Sequence, residues 1–405
     1  MKELEEKYID LILFKCLNFE KAKSLMIHMD LEEHRYFAEK IKRRANELGI
    51  LDVYIHCNDL YKVHDYLKNT SVSNIKLCPL IDRSPWNNYA IKGGSLLFLN
   101  SDVPGLMEDI SPEKMAKLVT EREKSCKYYR ENVKRYVFPW CIVALPNEAW
   151  AKTVFTNDIN AYEKLYYNIM KMCMVDTKNP IESWNKFINE SNSYKNKLNE
   201  LRITKMHFTN SIGTDLIVEK PESNVWLNLD KDNQKGIFNM PSYEIFCTPN
   251  KYKTEGVVHS SLPLSYNGNI IDEFYIEFKN GKAVNWDALE GYKTLSDLIN
   301  KDSGSSYLGE IALVGKNSPI YNSGILFNTT LFDENARCHL ALGGGYLKSI
   351  VGIDYEYLEW DILEDLGYNE SKIHTDFMIG TDDLNIEAET IEGKKLIFKN
   401  GDFNI

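Results

Sequence analysis

At 405 residues, 43% of them hydrophobic, the chain can bury a large core, and its length suits two or three domains. Lys and Arg total 48 against 59 Asp and Glu, and the resulting charge of −11 opposes nucleic acid and anionic membrane as partners. No stretch reaches the apolar length that crosses a bilayer. The opening MKELEEKYIDLILFKCL is acidic and lacks both a long apolar run and a small-residue cleavage site, so it does not read as a secretory signal. The cysteines Cys16, Cys57, Cys78, Cys126, Cys141, Cys173, Cys247 and Cys338 form no CxxC pair and lie in apolar contexts, as free thiols do in a reducing compartment. A cytoplasmic protein is expected.

The first half alternates helix and strand. Leu31–Leu48 sets Phe37, Ile41 and Ala45 at helical spacing and stops at Gly49. Ile50–Cys57 follows as an apolar run of strand length. Ser95–Leu99 and Cys141–Leu145 repeat the buried-strand pattern, each followed by turn residues and then a helical pattern. Ile159–Met174 and Ser183–Leu201 read as helices, the second polar enough to be a connector. This alternation predicts an α/β N-terminal domain, 1–202, with a largely parallel sheet. Beyond it the texture changes. LRITKMHFTNSIGTDLIVEK reads as strand, turn, strand, and Asn280-Gly281 and Asn400-Gly401 each centre a hairpin. Residues 203–405 therefore form a β-rich α+β domain.

That second domain holds a set of side chains that a packed core does not require. His374 and Asp376 flank Thr375, so in an extended segment they share a face and could meet one ion. A plain His–Asp hydrogen bond is the competing reading. Glu310 in LGEIALV and Glu244 in SYEIFC interrupt apolar runs, where a lone carboxylate is costly unless paired or metal-bound. His339 precedes an apolar LAL, where a lone histidine is more often a satisfied core residue than a ligand. Glu334 follows Asp333, and such a pair before a helix is usually an N-terminal cap. The Gly343-Gly344-Gly345 run follows a predicted helix and has no phosphate-loop spacing, so it reads as a tight turn that returns Tyr346 toward His339. Carboxylates with imidazoles and no thiolate pairs suit divalent zinc, cobalt or manganese. More carboxylates than one ion needs point to two ions with a shared ligand.

At these residues the chain resembles the thermophilic aminopeptidase family of aminopeptidases T, S and II. The similarity runs nearly end to end, through WCIVALPNEAWAKTVF (140–155), IGTDLIVE (212–219), NMPSYEIFCTP (239–249), SLPLSYNGNIIDEFYIEFKNGK (261–282), LGEIALV (308–314), LFDENARCHLALGGGY (331–346) and HTDFMIG (374–380). The resemblance implies a homodimeric dinuclear metallo-aminopeptidase, with 203–405 as its catalytic domain, acting on peptides that carry a free N-terminus. It places metal ligands at Glu244, Glu310, Glu334, His339, His374 and Asp376, and a tyrosine near the metals at Tyr346. Glu310, in the most apolar setting, is the expected bridging carboxylate, and attack by a metal-activated water is the expected chemistry. Tyr243 stands where the family pattern has a glycine, and the Tyr346–His374 interval is longer than in that pattern. A metal-binding protein without peptidase activity, and an α/β oxidoreductase lacking a dinucleotide fingerprint, are the rival readings.

Overall fold

The computed structural model describes residues 2–17, 24–76, 84–135, 138–229, 237–266, 269–352 and 359–405. Cys78, residues 267–268 of the fourth family-like motif, and residues 353–358 of the Tyr346–His374 interval lie outside them. Contacts divide the chain into two compact units, Met1–Lys186 with Lys231–Pro241, and Phe187–Asp230 with Ser242–Ile405. The division falls inside the helix Pro180–Glu200. Among the described residues no helix is long and apolar enough to cross a membrane.

The first unit is α/β. Its five-stranded sheet runs in the order Asp52–Cys57, Ser24–Met29, Ser95–Asn100, Trp140–Ala144, Asn239–Met240, with every pairing parallel. Helix Arg35–Glu47 buries Phe37, Ala38, Ile41 and Ala45, one stripe at helical spacing. It ends where Gly49 takes φ +91°, a conformation that glycine adopts without strain. Strand Ser24–Met29 is buried along its whole length, as an interior parallel strand must be.

The second unit is β-rich. Nine antiparallel strands form one sheet, and four form another in the order His374–Met378, His339–Gly343, Leu308–Leu313, Ile245–Cys247. The hairpins fall at Asn280-Gly281 and Asn400-Gly401, where φ is +50° and +78°, and +51° and +75°. One core joins the two sheets. Phe208, Leu216, Val218, Ile276, Phe278 and Ile386 of the large sheet pack with Ile245, Leu308, Ile311, Leu313, Leu340, Leu342 and Phe377 of the small one. Each such side chain contributes roughly 1.5–3 kcal/mol when buried.

Period two then dictates what the far face of the small sheet carries. Leu340 and Leu342 face the core, so His339 and Ala341 face away. The segment before Gly344 is thus a strand, and the helix expected there does not form. Ala341 made HLALG look like a continuous apolar run and hid its alternation. The glycines are a chain crossing. A Cβ on Gly343 would lie 2.2 Å from the Ile373 carbonyl oxygen, and one on Gly345 would lie 2.6 Å from Thr248 Cγ2.

A bulge sets the remaining face residue. Leu308 pairs with Leu342, yet Glu310 pairs with Ala341, so Gly309 is an extra residue in its strand. Without it Glu310 would share the core face with Leu308. With it the carboxylate turns to the opposite face. Gly309 sits so close to the glycine run that a Cβ would meet the Gly343 and Gly344 carbonyl oxygens at 2.3 and 2.4 Å. We expect Gly309→Ala to lose about 1–3 kcal/mol of stability through forced backbone movement. Urea unfolding checks this, and a midpoint equal to that of the parent would show that the bulge accepts a side chain.

Candidate metal centre

Three strands and two irregular segments bring the side chains together. Across the sheet, Glu310, Ala341 and Asp376 form one row, and Phe246, Ala312, His339 and Met378 form the next. His374 pairs with Gly343 and lies two residues from Asp376 on the same face. Ala341 and Ala312 fill little of the space between the charged groups. Glu244 enters just before strand Ile245–Cys247, and Glu334 opens the 3₁₀ turn Glu334–Ala336.

His339 Nε2 lies 3.1 Å from Glu244 Oε2. His374 Nε2 lies 2.9 Å from Glu310 Oε2 and 3.3 Å from Asp376 Oδ1. Donor atoms of Glu244, Glu310 and His339 fall within 4.8 Å of one another, and so do those of Glu310, His374 and Asp376. Glu310 belongs to both groups, either of which could hold a metal ion. Glu334 belongs to neither, yet it is buried and feels the charges of Asp376, Glu244, His339 and Glu310. Its neighbour Asp333 has a different task. That carboxylate accepts the Phe327 and Thr329 N–H groups at 2.8 and 3.0 Å, so it ties down the segment leading into the short helix Thr330–Asp333.

Both imidazoles are held by backbone carbonyls. His339 Nδ1 lies 3.2 Å from the Arg337 oxygen, and His374 Nδ1 lies 2.7 Å from the Gly344 oxygen. A carbonyl only accepts, so each Nδ1 carries the proton and each Nε2 faces the carboxylates. This is the orientation that metal-ligating histidines take.

The electrostatics are those of crowded acids. Burial, then Asp376 and Glu244, push the Glu310 carboxyl up to about 7 against the opposing pull of His374. Burial, Asp376 and Glu244 hold Glu334 well above the usual carboxylate range. Burial disfavours the His339 imidazolium, but Glu244, Asp376 and Glu310 prevail and raise it to about 10. His374 is raised against its burial by Asp376 and Glu310. Burial would also raise Asp376, but His374 and His339 outweigh it and hold the carboxyl low.

Four carboxylates thus face two imidazoles, with Glu310 and His339 only 2% and 1% exposed. With all four carboxylates ionised, even two imidazolium charges leave the cluster negative. Buried uncompensated charge is expensive. A donor set of oxygen and imidazole nitrogen, open to solvent chiefly at His374 (29% exposed), fits hard to borderline divalent cations.

Tyr346 stands at the edge of the cluster. Its hydroxyl lies 3.3 Å from His374 Nε2, and its ring packs on Phe246 with centroids 4.9 Å apart. Its backbone is tied at both ends to Thr248, whose Oγ1 accepts the Tyr346 N–H at 2.8 Å and donates to the Tyr346 oxygen at 3.1 Å. Sequence reasoning missed Thr248, Gly309, Ser242 and Asn335. Ser242 Oγ donates to Glu244 Oε1 at 3.1 Å. Asn335 touches both Glu334 and the Tyr243 backbone. None has a residue type that announces chemistry. Tyr243 itself turns its ring onto Phe187, with centroids 5.0 Å apart.

Comparison with known proteins covers nearly the whole chain. The chain is 32% identical over 408 residues to aminopeptidase 2 of Geobacillus stearothermophilus, covering 99% of this chain and 98% of the relative. It is 33% identical over 405 residues to aminopeptidase AmpS of Bacillus subtilis, covering 98% and 97%. The solved structure of wild-type AmpT from Thermus thermophilus superposes with a TM-score of 0.87 at 26% identity, covering 100% of this chain and 99% of that one. A family profile described as thermophilic metalloprotease (M29) matches residues 1–403, and the chain belongs to that family.

Proposed function

We propose that the chain is a metal-dependent aminopeptidase that uses two divalent ions, zinc, cobalt or manganese, at the cluster on the small sheet. One observation carries the reading: Glu310 is common to both groups of ligand atoms. Glu244 and His339 would hold one ion with Glu310, and His374 and Asp376 would hold the other with it. Glu334, buried beside them, would complete the set. When bound, the ions supply Lewis acidity and lower the pKa of water. Family membership supports peptide hydrolysis, and relatives named as aminopeptidases support the exopeptidase class. The described cysteines are all free, which suits a cytoplasmic enzyme.

The chain's own groups have separable tasks. The two Nδ1–H bonds fix the rings so that both Nε2 atoms point into the cluster. A cation held at His374 Nε2 would take that atom away from the Tyr346 hydroxyl. The hydroxyl is then free to donate to a substrate carbonyl oxygen as negative charge develops there. The acidic surroundings favour the amino end of a peptide over an acylated end.

Four outcomes test the proposal. Exhaustive chelation abolishes peptide hydrolysis, and zinc, cobalt or manganese restores it; full activity without metal would sink the reading. Ligands must lose their protons to bind. Glu310, near 7 without a cation, is mostly protonated near pH 6 and mostly ionised near pH 8. Metal affinity therefore rises over that interval, and binding releases about one proton more at its acid end. Calorimetry in buffers of different ionisation enthalpy reads this directly.

A peptide with a free N-terminus is cleaved, and its N-acetylated form is not. Comparable rates on the two in a peptide assay would contradict an aminopeptidase.

Tyr346→Phe keeps the Thr248 bonds and the packing on Phe246. It should lower kcat by about 10²–10³, the usual cost of an oxyanion donor, with metal content unchanged. Unchanged kcat would remove Tyr346 from the mechanism.

A further inference from the structure

Four members of the cluster, Glu310, His339, His374 and Asp376, stand on paired strands, so hydrogen-bonded register fixes their backbones. Glu244 and Glu334 do not. One precedes its strand, and the other opens a 3₁₀ turn. Sheet pairing alone does not hold these two carboxylates, since neither residue is itself paired.

One fully buried amide touches both segments. Asn335 Oδ1 accepts the Tyr243 N–H at 2.5 Å, directly before Glu244. Its Nδ2 donates to Glu334 Oε1 at 3.3 Å and to the Leu331 oxygen at 3.2 Å. The backbone N–H can only donate, so the amide orientation follows from its partners. The backbone carbonyl of Asn335 in turn accepts from Ser318 Oγ at 2.5 Å, which anchors the turn itself. The Ser242 hydroxyl then orients the Glu244 carboxylate.

We infer that Asn335 is a positioning residue that carries Glu334 and the Glu244 segment to the sheet-borne ligands, and so completes the cation site from outside the sheet. The inference rests on the reading of the cluster as a metal centre. It assigns Asn335 no contact with substrate. Its effect passes through the two glutamates.

The test is a double-mutant cycle on zinc affinity, read by competition with a chromophoric chelator, with thermal melts of the metal-free proteins as a check on folding. Asn335→Ala should weaken zinc binding about 10–100-fold, the range for groups that orient ligands. In a Glu334→Ala background the same substitution should cost clearly less than in the parent, because only the part carried through the Glu244 segment remains. Native affinity in Asn335→Ala overturns the inference. So does an equal loss in both backgrounds, which is the mark of a merely structural role. If Asn335→Ala fails to fold, Asn335→Asp keeps the acceptor for Tyr243 and removes the donor toward Glu334. The same Glu334-dependent loss is then expected, and native or tighter affinity overturns the inference. A parent chain that binds no zinc defeats the metal-centre reading itself. Loss in Glu334→Ala with none in Asn335→Ala defeats only the positioning role.

Discussion

The two-residue period of one small sheet governs this molecule. Leu340, Leu342, Ile311, Leu313 and Phe377 need the core, and burying them obliges every alternate side chain to point the other way. The alternate set includes His339, His374, Asp376 and, because of the bulge at Gly309, Glu310. Hydrophobic burial on one face therefore sets the positions of the charged groups on the other. A slip of one residue in any strand would exchange the two sets. The same packing that stabilises the second unit thus fixes the spacing of the candidate ligands.

The arrangement has an electrostatic cost that the protein alone does not offset. Carboxylates crowd one another while the imidazoles are held rigidly by main-chain carbonyls. Protons relieve part of the repulsion in the absence of cations, which is the meaning of the raised Glu310 and Glu334 groups. Cations of higher charge relieve it better, and they compete with those protons. A cluster strained in this way is selective by design: it disfavours its own empty, fully ionised state.

Much of the fold was legible in the chain because its signals are local. Phe37, Ile41 and Ala45 repeat at helical spacing, and two Asn-Gly pairs mark hairpins, so short-range periodicity was enough. Glu310 stood out because a carboxylate in an apolar run is costly anywhere. His374 and Asp376 were legible as a pair because the strand period relates them. The strand His339–Gly343 was not read, since Ala341 serves the site face while looking apolar. The bulge could not be read at all, because it depends on a close approach to glycines that follow the neighbouring strand. Asn335, Thr248 and Ser242 were silent for a related reason. Their roles depend on partners distant in the chain, and their residue types are ordinary.

The segment Lys231–Pro241 has a consequence for the order of events on the ribosome. Its strand, Asn239–Met240, is the edge of the first unit's parallel sheet, although residues of the second unit are made before it. The leading unit cannot close its sheet until that late strand has emerged, so N-terminal-first domain folding cannot run to completion here. Until then the Trp140–Ala144 strand presents an unpaired edge, the kind of surface on which nascent chains associate wrongly. Neither unit is a continuous length of polypeptide. Fragments cut at any single bond would leave one of them without a piece of its framework.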